Sequence, residues 1–173
     1  MALAWAVLTI ALLGLIYSLA AFAFVPSSPA PASILERLAL PLLALAGLGV
    51  AAYLSYVELA KVEAFCGPVG GCNVVQTSRY ARLFGVAPLG LVGAAGYAFI
   101  LAASLAGWIW RKSLLPKARM TIFAAALFGT AFSAYLTCIE IFVLHAACIW
   151  CLSSAVLMTL ILAISARPAA ASP

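Results

Sequence analysis

Of 173 residues, 68% are hydrophobic and only 8% are charged, whereas about a quarter of the residues in a soluble globular domain carry charge. A soluble fold is therefore excluded, and a single integral membrane domain over 1–173, in contact with membrane lipids, is expected. The net charge of +5 comes without a basic cluster interleaved with aromatics, so a nucleic-acid partner is excluded and the charges read as topology signals.

Met1 to Val25 carries no charged side chain, and a span is expected over about 3–25, since about 20 apolar residues cross the hydrocarbon core. A signal peptide is the competing reading, favoured by the small residues Pro29 to Ser33. It is opposed by the missing positive n-region and by the length of the apolar stretch. Pro26 to Ser33 reads as a linker. A second span is expected over about 38–60, with Glu36 and Arg37 at its start and Glu58, Lys61 and Glu63 at its exit.

The most polar stretch follows, a loop over 61–84 that holds Cys66-Gly67-Pro68-Val69-Gly70-Gly71-Cys72. Three glycines and a proline between two cysteines predict a tight turn in which the sulfurs can meet and part. Asn73 to Arg82 reads as a short interfacial helix, with Asn73 as its cap and Val74, Val75 and Tyr80 as its apolar contacts. The third span, about 85–110, has Pro88 near its start, where a helix tolerates proline. Gly90, Gly93 and Gly96 permit close helix packing. Arg111 to Arg119 is a basic loop, spans over about 120–144 and 147–166 complete the set, and a short tail starts at Arg167.

The last span opens with Cys148-Ile149-Trp150-Cys151. On a helix this spacing puts both sulfurs on one face, and the helix N-terminus lowers a thiol pKa. Such a pair is either a redox motif or half of a zinc site. Its place in an apolar helix favours redox chemistry, and no metal is expected. The positive-inside rule then orders the spans. With Arg111, Lys112, Lys117 and Arg119 in the cytoplasm, Arg37 and Arg167 also fall inside, against Lys61, Arg79 and Arg82 outside. The N-terminus lies outside, the C-terminus lies inside, and both cysteine pairs share the outer face. A mobile loop pair and a fixed helix pair on one face make a relay for thiol–disulfide exchange. Lipid-soluble quinone is the natural two-electron acceptor in the bilayer.

The sequence resembles the vitamin K epoxide reductase family in its bacterial form. The resemblance covers roughly Gly47 to Ile161. It rests on Cys66-x5-Cys72, the following Ser78, the run Leu83-Phe84-Gly85-Val86-Ala87-Pro88-Leu89, and Cys148-Ile149-Trp150-Cys151. It implies an all-α polytopic membrane protein: a four-helix bundle around a quinone, with a short interfacial half-helix. The helix over Met1 to Val25 is an extra N-terminal one. It further implies electron flow from a reduced thioredoxin-like (DsbA-type) exported protein to Cys66/Cys72, then to Cys148/Cys151, then to ubiquinone, menaquinone or a vitamin K type quinone. By the family's pattern, Cys66 exchanges with the partner, Cys72 forms the internal mixed disulfide with Cys148, Cys151 faces the quinone, and Ser78 belongs to the quinone site. The expected setting is a bacterial inner or plasma membrane. Many bacterial members carry a fused thioredoxin-like domain, so a separate partner is expected here. Disulfide generation is expected ahead of epoxide reduction.

Two rival readings stand beside this one: a reductase whose product is the reduced lipid quinone, and a non-enzymatic membrane protein stapled by its disulfides. Four more residues stand out, and two of them, His145 and Trp150, have two readings each. His145 either assists the Cys148 thiolate or a quinone oxygen, or lies at the interface with no role. Trp150 shapes the quinone pocket or belongs, with Trp108 and Trp110, to the aromatic belts. Glu140 is costly in lipid and faces the bundle or the headgroups in a structural role. Cys138 reads as a small buried apolar residue outside both pairs.

Overall fold

The structure is a computed structural model describing residues 1–24, 34–66, 71–83, 86–109 and 115–166. The linker expected at 26–33, the Gly-Pro turn at 67–70, the basic residues 111–114 and the tail from 167 lie outside the described residues. Helices run over Ala2–Phe24 (α1), Ile34–Ala60 (α2), Cys72–Thr77 (α3), Leu89–Ile109 (α4), Leu115–Ile139 (α5) and Ile149–Ala166 (α6). Five of them are long and apolar enough to cross a membrane, and the protein is an all-α polytopic membrane protein.

Three boundaries differ from expectation. The third span starts at Leu89, because Arg82–Leu83 (β1) and Ala87–Pro88 (β2) pair as two short antiparallel strands. Pro88 biases Ala87 towards extended backbone, which keeps the helix from starting earlier. The basic loop is shorter than expected, because α5 already begins at Leu115. The interfacial helix is also shorter and ends at Thr77; an extended residue, Ser78, separates it from a 3-10 turn at Arg79–Ala81. Asn73 is not its cap. Gly71 holds that position, and the Asn73 Oδ1 accepts the backbone N–H of Ala64 at 2.8 Å instead.

Helices α2, α4, α5 and α6 form a closed ring in which α4 and α6 each touch both α2 and α5. The α2 and α4 pair is antiparallel and close. Gly47 lies against the Tyr97 ring, and a Cβ on Gly90 would come within 2.7 Å of the Ser55 nitrogen and Oγ. Small residues let helix backbones approach where apolar burial alone provides no driving force between lipid-soluble helices. The central core of this ring includes Tyr97, Ile100, Ile122, Phe123, Ile161 and Leu162.

Helix α1 lies outside the ring, against α5 and α6. Trp5 meets Phe142 edge-on at 5.4 Å between ring centroids, and Phe22 stacks on Phe123 at 5.2 Å. These contacts make α1 antiparallel to α5 and put the chain's N-terminus at the end of the bundle where α6 begins.

The α2–α4 contact yields a direct test. Gly90→Ala forces the new methyl into the Ser55 backbone and should cost about 1–3 kcal/mol. Gly96→Ala meets nothing within 4 Å and should be neutral or stabilising, since alanine exceeds glycine in helix propensity by about 1 kcal/mol. Thermal unfolding in detergent, comparing the two variants, checks the difference.

Candidate active site

The loop after α2 runs extended beside the start of α6 and is fastened at successive residues. The Tyr53 hydroxyl accepts the Phe65 N–H at 3.0 Å, and the Trp150 indole N–H donates to the Phe65 carbonyl at 2.9 Å. The Tyr53 and Trp150 rings lie 4.6 Å apart. At the other end of the loop, Arg82 pairs with Glu58 at 3.1 Å. These contacts hold Cys66 half-exposed at the surface, its thiol directed to the Ala64 carbonyl at 3.2 Å.

Glycine at 71 brings the second loop cysteine inward. A Cβ there would lie 2.7 Å from the Ala147 nitrogen and 2.8 Å from its carbonyl oxygen. The two backbones touch, and Cys72 and Cys148 meet with 0% exposure each. Leu54, Val57 and Ala64 enclose them in one apolar cluster, with Cys66 and Cys151 packed against it.

The turn before α6 is unusual. The chain leaves α5 through a π-helical turn at Glu140–Leu144 and reverses at His145, which has the left-handed φ of 49°. That conformation closes helices, usually with glycine. π turns are frequent at functional sites. Here the turn places Glu140, only 3% exposed, with its Oε2 accepting the Cys148 N–H at 3.2 Å.

The result is a line of sulfurs. The Cys72 thiol is within hydrogen-bonding reach of Cys66 and Cys148, and Cys151 is within reach of both Cys148 and the Glu140 carboxylate. The first-turn amides of α6 also face it: the Ile149 N–H meets Cys72, and the Trp150 and Cys151 N–H groups meet Cys148. Cys148 precedes the apolar segment of α6. The Cys151 thiol's hydrogen bond holds Cys148 down to about 6, with help from the helix amides and Cys72 and against burial. Burial, followed by the hydrogen bond with Cys66 and the charge on Cys148, pushes Cys72 up to about 12. The central contact thus joins a stable thiolate to a protonated thiol.

A cavity of about 260 Å³ begins where the line ends, near the lower limit of ligand pockets, about 300 Å³. Cys151, Glu140 and Ser78 line it, and its walls are mainly apolar side chains of α2, α4 and α5. Phe128 lines it while remaining 73% exposed on the outer face of α5, so the cavity borders the lipid-facing surface. Such walls suit a lipid-soluble ligand, and Ser78 and Glu140 are among the polar groups on them.

Of the expected site residues, the structure brings together Cys66, Cys72, Cys148 and Cys151, and it places Ser78 on the cavity. The Ser78 Oγ donates to the Val75 carbonyl at 2.7 Å. Trp150 and His145 do not line the cavity; Trp150 fastens the loop, and His145 is exposed at the chain reversal. Cys138 is half-buried against the α1 interface. Sequence reasoning gave Glu140 only a structural role. Its one signal was a carboxylate inside an apolar span.

The depressed Cys148 value carries a sign. Its thiolate should persist through neutral pH and be lost as pH falls through about 6, whereas a free cysteine ionises near 8.5. In reduced protein with ¹³Cβ-labelled cysteine, the Cys148 resonance should titrate near pH 6, and Cys151→Ala should move that midpoint upward.

The description "Vitamin K epoxide reductase family" belongs to the family model that matches residues 38–166. The match takes in the four-helix ring, the loop and all five cysteines, and leaves α1 outside. The chain belongs to the vitamin K epoxide reductase family, whose members are membrane redox enzymes that act with quinones.

Proposed function

We propose that the protein oxidises the thiols of an exported thioredoxin-like (DsbA-type) protein and reduces a lipid quinone, so that its product is a disulfide for secreted proteins. The observation that carries this reading is the line of four sulfurs from the half-exposed Cys66 to Cys151 on the cavity. It is a two-electron path with one end towards water and the other in a membrane-facing pocket.

The exchange balances at each step. A partner thiolate attacks Cys66 in the Cys66–Cys72 disulfide, and the Cys72 sulfur leaves with the bonding electrons. The second partner thiol then displaces Cys66, and the partner departs as a disulfide. Cys72 next attacks Cys148 in the Cys148–Cys151 disulfide, and Cys151 leaves. Cys66 attacks Cys72, restoring the loop disulfide and expelling Cys148 as a thiolate. A thiol of low pKa leaves faster in such exchange, and the hydrogen bonds to Cys148 hold it low. The reduced Cys148/Cys151 pair then gives up two electrons as it closes again. A quinone held beside Cys151 supplies the two-electron acceptor. Ser78 and Glu140 line the same cavity and offer hydrogen bonds to its oxygens.

The loop cysteines and both α6 cysteines are thus the proposed catalytic residues, Ser78 a proposed quinone contact, and the cysteine end of the bundle the proposed extracytoplasmic side. Trp150 and His145 support the site by position, through the loop and the chain reversal.

Quinone reduction by purified protein, driven by a reduced thioredoxin-like donor, tests the reading. Wild type should turn over with ubiquinone or menaquinone. Cys151→Ala should abolish turnover with every donor. Cys66→Ala should lose at least about 10²-fold with the protein donor, in keeping with the loss of an activated nucleophile, while keeping activity with a small dithiol. Absence of wild-type turnover with any quinone, or full activity of both variants, contradicts the reading. Consumption of the vitamin K epoxide at the expense of a small dithiol, with the protein donor left unoxidised, points to the lipid as the product instead.

A further inference from the structure

The reading above gives Glu140 a hydrogen bond to the quinone and leaves its proton unassigned. Glu140 is 3% exposed inside a membrane-spanning segment, where a carboxylate is costly and marks a site of function. It sits in the π turn, its Oε2 accepts the Cys148 N–H at 3.2 Å, and its carboxylate is within hydrogen-bonding reach of the Cys151 thiol. It lines the same cavity as Cys151. A carboxylate needed only to cap the Cys148 amide has no reason to reach Cys151 and the cavity as well.

We propose that Glu140 is the proton carrier of the buried pair, giving a proton to the Cys151 sulfur when the Cys148–Cys151 disulfide opens and taking it back when that disulfide reforms. The inference rests on the relay proposed above. When Cys72 attacks Cys148, the Cys148–Cys151 bond breaks and its electron pair leaves on Cys151. The protonated carboxyl of Glu140 transfers its proton there, leaving a carboxylate and a neutral thiol. When the pair closes again, the Cys151 proton returns to Glu140 as the two electrons pass to the quinone. Glu140 therefore ends each cycle as it began. The two protons of the quinol match the two that the partner dithiol releases to water.

The cavity-side location explains the need for such a group. Cys151 is half-buried on a mainly apolar cavity that borders the lipid-facing surface, so water is a poor proton source for it. The titratable groups that reach Glu140 are Cys148 and Cys151 at the start of α6; α3 brings Cys72 to the same cluster, and α5 carries Cys138 beside the turn, half-buried in the cluster it shares with α1. Helix α1, also in contact with the turn, meets it through Trp5 and has no charged side chain. His145, at the end of the same turn, is exposed.

Two measurements decide the matter. Glu140→Gln preserves the shape and should slow steady-state quinone reduction by about 10²-fold, the usual worth of a positioned acid–base group. One stoichiometric oxidation of the partner by the loop disulfide should survive, and Glu140→Asp should recover part of the rate. The second measurement uses wild type without quinone, so it is independent of turnover and of the variant's folding. Infrared difference spectra between dithiol-reduced and oxidised protein should show a carboxyl C=O band present with the disulfide and lost in the dithiol state, shifting in deuterated water. An unchanged rate and pH profile in Glu140→Gln, or spectra without a carboxyl band that follows the redox state, overturn the proposal. Absence of wild-type turnover would instead overturn the relay reading, and the infrared result would still decide the protonation of Glu140.

Discussion

The contact between the backbone at Gly71 and that at Ala147 is the constraint on which the site depends. A side chain at position 71 would strike the Ala147 nitrogen and carbonyl, and the loop would then stand away from α6. With glycine there, α3 drops against the start of α6, and Cys72 reaches both Cys148 and the Ile149 amide. The two cysteine pairs, distant in sequence, become one chain of sulfurs within an apolar enclosure. Enclosure matters twice. It keeps water and stray thiols from the inner pair, and it strengthens each hydrogen bond and each charge interaction among the sulfurs.

The second constraint is polar. Burying a thiolate in an apolar cluster is costly without hydrogen-bond donors. The first turn of α6 supplies them, since the N-terminal amides of a helix have no partners within it. The Trp150 and Cys151 amides face Cys148, while the Cys148 amide itself is satisfied by Glu140. The π turn is what lets Glu140, the first residue after α5, reach that amide. It also leaves His145 in a left-handed conformation, a position held by backbone geometry. The structure thus gives His145 a conformational task and Trp150 a tethering one.

Much of this was legible in the sequence. Apolar runs of span length located the five membrane helices, and the positive-inside count placed both cysteine pairs at one end. The cysteine spacings, Ser78 and the segment through Pro88 carried the family resemblance. Other features depend on contacts between distant residues, and no local pattern encodes them. The strand pair ahead of α4 hid because an apolar Leu83 to Leu89 reads as continuous with the span. Asn73 has the composition of a cap but is recruited by the Ala64 amide. Glu140 was visible as an anomaly, yet its partners lie on the next helix, and only the π turn reveals which groups it faces. Trp150 read from the sequence as either a pocket residue or part of an aromatic belt. On the helix its side chain points away from the cavity side, towards Tyr53 and the loop.

The central claim is that Cys72 and Cys148 exchange a disulfide with each other. The most direct measurement is mass-spectrometric mapping of disulfides in Cys66→Ala after oxidation by quinone and brief exposure to a small dithiol. Without Cys66 to resolve it, the Cys72–Cys148 bond should accumulate and be recovered as one cross-linked peptide pair, with Cys151 as a free thiol. If only the Cys148–Cys151 bond is found, with Cys72 unlinked under all conditions, the sulfurs do not form a path and the account is contradicted.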